Sequence, residues 1–236
     1  MKFGIIGAME IEVSKLLEAM KSAGNVKETE AGSLKFFEGK INNTDVVVVR
    51  SGVGKVNAAL CAQRLILSFG CEFIINSGIA GAMASGLGVL DVVLSSDAVY
   101  HDMDATGFGY KPTEVPQMAC SAFPADTKMI EKILKIFPTL KEAEGHKLVV
   151  GRVATGDQFI SDKAVKEHIK EICSPACVEM EGAAIAHACW LNKTPFVIIR
   201  TLSDMADDSA DATYQFNENT AADLSAAIML ALLKQF

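Results

Sequence analysis

The chain predicts an α/β fold in three layers, with helices covering both faces of a central mixed, largely parallel sheet. Three observations carry this. Short β-branched runs such as Val46–Val49 and Val197–Ile199 are apolar without alternation, the mark of strands buried on both faces. Helical patterns separate several of these runs. No Gly/Ser-rich or Pro-rich linker and no internal repeat interrupts the 236 residues, so a single domain over 1–236 is expected.

The elements follow in order. Strands are expected at Phe3–Ile6, Val46–Val49, Phe73–Asn76, Val92–Leu94, Leu148–Val150 and Phe196–Ile199. Glu10–Ser22 places Val13, Leu16, Leu17 and Met20 on one helical face. Val56–Phe69 reads as a helix of small and branched apolar residues. Ala125–Phe137 follows a proline and stops before Pro138, as a helix should. Ser161 and Asp162 cap a helix over Lys163–Ile172, and Glu218–Leu233 is the last helix. Tyr100–Phe123 has glycines, prolines and aromatics but no period. A loop of that length in a compact domain is usually functional, and Phe108 and Tyr110 argue against disorder, so a lid or partner-contact loop is expected.

Composition excludes several classes. Half the residues are hydrophobic, yet no apolar run reaches the roughly 18 residues of a membrane span. Glu10 and Glu12 follow the first apolar stretch closely, which suits a strand entering a helix rather than a signal peptide, and a cytoplasmic location is expected. The formal net charge of −7 is scattered, which disfavours nucleic acid as a partner. Six cysteines form no CxxC pair and four histidines are dispersed. Reduced, structural cysteines follow, with no disulfide, metal site or cofactor.

Glycine-rich turns are weak signals here. Gly4–Gly7 lacks the third spacing of a dinucleotide fingerprint. Ser51–Val56 lacks the first P-loop glycine and has Val56 in place of the magnesium-binding hydroxyl. Asn76–Gly81 ends a strand with small residues that let a ligand approach backbone amides, although on its own it reads better as a plain tight turn.

The chemistry concentrates in VEMEGAAIAHACW and PFVIIRTLSDMADD, where Glu179, Glu181, Arg200, Ser203 and Asp204 interrupt apolar sequence. Charges at the mouth of a buried strand lie where open α/β sheets bind ligands, and ionised groups beside a core are paired or used. The bland alternative is that Arg200 pairs with Asp204 and closes a loop. Glu10 reads as solvated helix surface, and Glu12 alone reads the same way.

Taken in order, GIIGAMEIEV, SGVGKVNAA, NSGIAGA, YHDMDATGFGY, TGDQFI, VEMEGAAIAH and RTLSD resemble the 5′-methylthioadenosine/S-adenosylhomocysteine nucleosidases of the nucleoside phosphorylase superfamily. The resemblance runs from residue 1 to about Asp207. It implies a nucleoside phosphorylase-like fold and hydrolysis of methylthioadenosine and adenosylhomocysteine, extending to 5′-deoxyadenosine. By position, the water-activating glutamate falls on Glu12, and the purine-protonating aspartate on Asp204 with Ser203. The ribose-binding pair falls on Met180 and Glu181, with Glu179 just outside, and the purine-contacting pair on Phe159 and Ile160. Ala8, Met9, Val53 and Met180 become apolar walls. Phe108, Tyr110 and Pro116 match a segment that reaches a neighbouring subunit's 5′ pocket, which implies a homodimer. Arg200 either supports the acids or touches the sugar, and Tyr214 or Phe216 closes the 5′ pocket. Ile79 stands where many relatives have serine, so a side-chain contact to the nucleophilic water is in question.

The residue types suit the chemistry independently. Cleaving a purine N-glycosidic bond builds positive charge on the sugar and negative charge on the base. A carboxylic acid near N7 relieves the second, and a carboxylate across the ring orients water and stabilises the first. Competing readings are an aminofutalosine nucleosidase, a purine nucleoside phosphorylase of the same fold, and a non-catalytic nucleoside-binding module. A phosphorylase needs cations at the nucleophile subsite, where this chain offers Glu12 and Ile79. A binding module has no use for both Glu12 and Asp204.

Overall fold

The computed structural model describes residues 1–236, apart from the side chain of Asp211. Ten strands and six α-helices follow in the order β1 (Phe3–Gly7), α1 (Glu10–Ala23), β2 (Lys27–Ala31), β3 (Leu34–Ile41), β4 (Thr44–Arg50), α2 (Lys55–Leu67), β5 (Phe73–Ala82), β6 (Val92–Tyr100), β7 (Phe123–Pro124), α3 (Thr127–Ile136), β8 (Leu148–Thr155), α4 (Lys163–Cys173), β9 (Cys177–Glu179), α5 (Gly182–Asn192), β10 (Phe196–Asp204) and α6 (Ala210–Leu233). All strands belong to one mixed sheet. Parallel pairing joins β4, β1, β5 and β10, and separately β6, β8 and β9.

The expected three layers are present. α1 packs with α6 and α2 with α5, and the sheet lies between the two pairs. Val46–Val49, Ile5, Ile6, Ile74, Ile75 and Val197–Ile199 are fully buried. Each such side chain contributes about 1.5–3 kcal/mol of burial. The sheet also does something that the apolar runs do not reveal. β10 pairs with β5 on one side and β6 on the other, and β8 and β9 complete the circuit back to β5. Five strands thus close a small barrel, and the carboxyl ends of β5, β8 and β10 converge at one rim.

Two expectations require correction. The apolar pattern predicts no strand between α1 and β4, yet β2 and β3 form an antiparallel hairpin added to the sheet edge. Its outer strand KETEA is charged and largely exposed, which hides it from an apolar-pattern reading and protects an open edge from pairing. The last helix begins at Ala210 rather than Glu218. Asp207 accepts hydrogen bonds from the Ser209 N–H (3.0 Å) and hydroxyl (2.7 Å), a side-chain turn that starts the helix early. Among the described residues no helix is long and apolar enough to cross a membrane, no metal-binding cluster occurs, and the six cysteines are unpaired.

Candidate active site

The rim of the closed strands holds a cavity of about 370 Å³. Its lining includes Ala8, Met9, Glu12, Val53, Ile79, Phe159, Ile160, Glu179, Met180, Glu181, Ser203, Asp204 and Tyr214. These residues come from widely separated parts of the sequence, and the fold brings them together because the closed circuit of strands carries the ends of β5, β8, β9 and β10 to one rim.

Glu12 occupies the third position of α1 and folds back over the helix start. One carboxylate oxygen accepts the Ala8 and Met9 N–H groups at 2.6 and 3.0 Å, and the other accepts the Ile79 N–H at 3.0 Å. The arrangement satisfies donors that every helix N-terminus leaves free. Burial raises the pKa of Glu12 above its ordinary value, against the opposing pull of Arg200 and the three backbone N–H groups. A buried carboxylate held this way is a stronger base than a solvated one.

Arg200 organises the floor. Its guanidinium is buried in β10, donates to Glu179 and to Asn76 (2.6 Å), and lies 3.5 Å from Glu181 and 3.9 Å from Glu12. One cation therefore serves three buried carboxylates. Gly78 makes this possible, because a Cβ there would sit 2.2 Å from the Arg200 guanidinium and 2.4 Å from Glu12. Arg200 is absent from the cavity lining, and its guanidinium lies behind the acids.

Glu179 is committed almost entirely to structure. It takes the Glu181 and Gly182 N–H groups at 2.9 and 2.7 Å, besides Arg200 and the Thr155 hydroxyl. Those contacts fix the start of α5 and turn Glu181 inward. Glu181 in turn accepts the Gly54 N–H at 2.9 Å. Burial, reinforced by the charge of Glu179, pushes the Glu181 pKa up to about 7.

Asp204 sits at the opposite side chemically. β10 follows β5 in register as far as Leu202, and the register then shifts before Asp204. In a regular strand residues 200 and 204 share a face, and the bulge breaks that relation. The loop-closing pair between Arg200 and Asp204 does not form for this reason: among the described residues the guanidinium pairs with the glutamates alone. Asp204 instead accepts the Ser203 hydroxyl and the Ala206 N–H, each at 2.8 Å. Burial raises its pKa against those two hydrogen bonds. Gly81 leaves it room, since a Cβ there would stand 2.9 Å from Asp204.

The remaining residues divide cleanly. Tyr214 lines the cavity, packs edge-on to Phe159 at 5.7 Å and donates to the Met9 sulfur at 3.3 Å. Phe216 faces solvent. Phe108, Tyr110 and Pro116 lie outside the cavity of their own chain, and Phe108 is 88% exposed. Gln158, Val178, Ala80, Gly81 and Gln215, none of them a site residue that the sequence predicts, also line the space. Ala80, Gly81 and Gln158 belong to the NSGIAGA and TGDQFI motifs, whereas Gln215 lies in polar sequence without a motif.

Comparison with known proteins places the chain in a family. The phosphorylase superfamily profile matches residues 2–234. A 5′-methylthioadenosine/S-adenosylhomocysteine nucleosidase of Staphylococcus haemolyticus is 38% identical over 98% of each chain. The solved structure of the corresponding Colwellia psychrerythraea nucleosidase, in complex with adenine, superposes with a TM-score of 0.94 at 40% identity, covering 100% of this chain and 95% of that one. The Neisseria meningitidis nucleosidase in complex with methylthio-immucillin-A gives 0.93 at 37% identity, covering 100% and 99%. The chain belongs to the 5′-methylthioadenosine/S-adenosylhomocysteine nucleosidase family of the phosphorylase superfamily.

Proposed function

We propose that this chain hydrolyses the N-glycosidic bond of 5′-methylthioadenosine and S-adenosylhomocysteine, releasing adenine and the free thioribose derivative. The observation that carries the reading is one apolar-walled cavity holding two differently prepared carboxyl groups, Glu12 against backbone N–H donors and Asp204 against a hydroxyl. Phe159 and Ile160 form the purine wall. Glu181, with Met180, takes the ribose hydroxyls through charge-assisted hydrogen bonds. Ala8, Met9, Val53 and Tyr214 surround the 5′ group. As the C1′–N9 bond breaks, Asp204 gives its proton to N7 of the leaving purine. Glu12 draws a proton from the water that attacks C1′, so the two carboxyl groups exchange protonation states and return by solvent exchange. Ile79 leaves the water to Glu12 and backbone groups.

Water rather than phosphate is the nucleophile in this reading. Among the described residues no lysine, arginine or histidine lines the cavity, and an anion beside Glu12 is unfavourable. The test is incubation with methylthioadenosine, adenosylhomocysteine, 5′-deoxyadenosine and aminofutalosine, with and without phosphate, followed by identification of the sugar. Free sugar in both conditions supports the hydrolase. A sugar 1-phosphate means a phosphorylase, and no adenine from any substrate means a binding module.

The reading includes a cytoplasmic single-domain chain that pairs as a homodimer. Unpaired cysteines suit a reducing compartment, and one sheet takes in every strand. Val56, Leu60 and Leu67 stand 64–70% exposed along α2, an apolar stripe of the kind that marks an interface. Sedimentation at micromolar concentration checks it: a dimer is expected, and a monomer removes Phe108, Tyr110 and Pro116 from the site.

A further inference from the structure

Lys55, Asp102 and Asp157 form a polar cluster beside the cavity that plays no part in the chemistry above. Lys55 is the first residue of α2. Its ammonium pairs with Asp102 (2.5 Å) and lies 3.7 Å from Asp157. Its backbone N–H donates to Asp157 at 2.8 Å, and the Asp157 N–H donates to Asp102 at 3.0 Å. The ammonium also stands 5.6 Å from the centre of the Tyr100 ring, at the end of β6. Three chain segments with no contiguity in sequence are thereby tied at one corner.

Two of the three tied segments lead straight into a cavity wall. Gly54, next to Lys55, gives its N–H to Glu181, and Val53 lines the space. Asp157 is followed directly by Gln158, Phe159 and Ile160, all three of which line the space. The corner is also closely packed. A Cβ on Gly156 would meet the buried His101 ring at 2.4 Å and Asp102 at 3.1 Å, and a Cβ on Gly54 would meet Asp157 at 3.1 Å.

We infer that Lys55 is a positioning residue for nucleoside binding: through Asp102 and Asp157 it fixes the distance between the wall that holds Glu181 and the wall that holds Phe159. An isolated surface ion pair does little. Here, however, the ammonium sits between two carboxylates, and the backbones of Lys55 and Asp157 run directly into the two walls. Removing it leaves two like charges facing each other, and Asp157 is driven outward together with the segment that follows it. A ligand that spans both walls loses affinity. A ligand that touches only the purine wall does not.

This inference rests on the nucleosidase reading, and one experiment separates the two. Wild-type turnover of methylthioadenosine tests the reading. The KM for methylthioadenosine and the inhibition constant of free adenine, measured on Lys55→Met, test the inference. The expected result is a KM raised about tenfold with kcat within about twofold, as for loss of binding shared by ground and transition states, and adenine inhibition unchanged. Lys55→Arg restores KM. Lys55→Gln, which also removes the ammonium, gives the same split and replaces Lys55→Met if that variant does not fold. Equal losses for nucleoside and adenine, an unchanged KM, or a melting temperature that falls while KM stays constant each overturn it.

Discussion

Glu12 and Asp204 are both carboxyl groups buried in one cavity, and their surroundings differ in every respect that matters. Around Glu12 the protein gathers three backbone N–H donors and a guanidinium. Around Asp204 it provides one hydroxyl, one N–H and no paired cation among the described residues. Burial raises both pKa values. Raising the pKa of a base strengthens it as an acceptor, whereas raising that of an acid keeps its proton available. One physical effect thus prepares two groups for opposite roles, and the neighbours decide which role each takes.

The strongest way to break this contrast is Asp204→Asn. It preserves the shape and the hydrogen-bond partners but removes the transferable proton. Adenine release should fall by about 10²–10⁴-fold, the usual size of a general-acid contribution, while free adenine still binds. Turnover near wild type, measured by adenine formation, would remove Asp204 from the mechanism.

Arg200→Met attacks the other side. It strands three carboxylates that share one cation, and loss of one partner from a buried ionic network costs about 3–5 kcal/mol. Chemical denaturation should show a drop of that size, larger at pH 8 than at pH 5 because protonation relieves the unpaired charges. A loss independent of pH contradicts the shared-cation account.

Glu181→Gln sharpens the comparison with a smaller effect of opposite sign. An acid whose folded pKa lies near 7 against an ordinary 4.5 contributes stability that is complete below 4.5 and lost as pH rises through 7. The glutamine variant should therefore melt several degrees higher than wild type at pH 8 and nearly level with it at pH 4.5, since a chain of this size shifts about 2–4 °C per kcal/mol. Ribose binding needs the ionised carboxylate, so wild-type kcat/KM should fall as pH drops below about 7. A calorimetric scan and a pH–rate profile check the two halves.

Which of these features the amino-acid order discloses follows from what kind of signal each one leaves. Val46–Val49 and Val197–Ile199 announce buried strands because burial on both faces demands unbroken apolar residues. Glu12, Glu181 and Asp204 stand out because charges rarely interrupt such sequence, and their motifs occur in a fixed order. β2 escapes notice because an exposed edge strand has no apolar pattern to show. The first turns of α6, which bring Tyr214 and Gln215 to the cavity, are polar and start from a side-chain turn at Asp207. The partners of Arg200 depend on a bulge between Leu202 and Asp204, and a one-residue shift in pairing leaves no trace in composition. The Lys55 corner joins residues 47 and 102 positions apart, so only the folded chain displays it.

The protonation state of Asp204 is the most direct test of the contrast. Difference infrared spectra of wild type and Asp204→Asn at pH 5, above the ordinary 3.8 of an aspartate, isolate this one carboxyl from Glu12 and Glu181. A protonated C=O band present in wild type and absent from the variant is expected. A carboxylate band lost in its place would mean that Asp204 is ionised there and cannot be the acid.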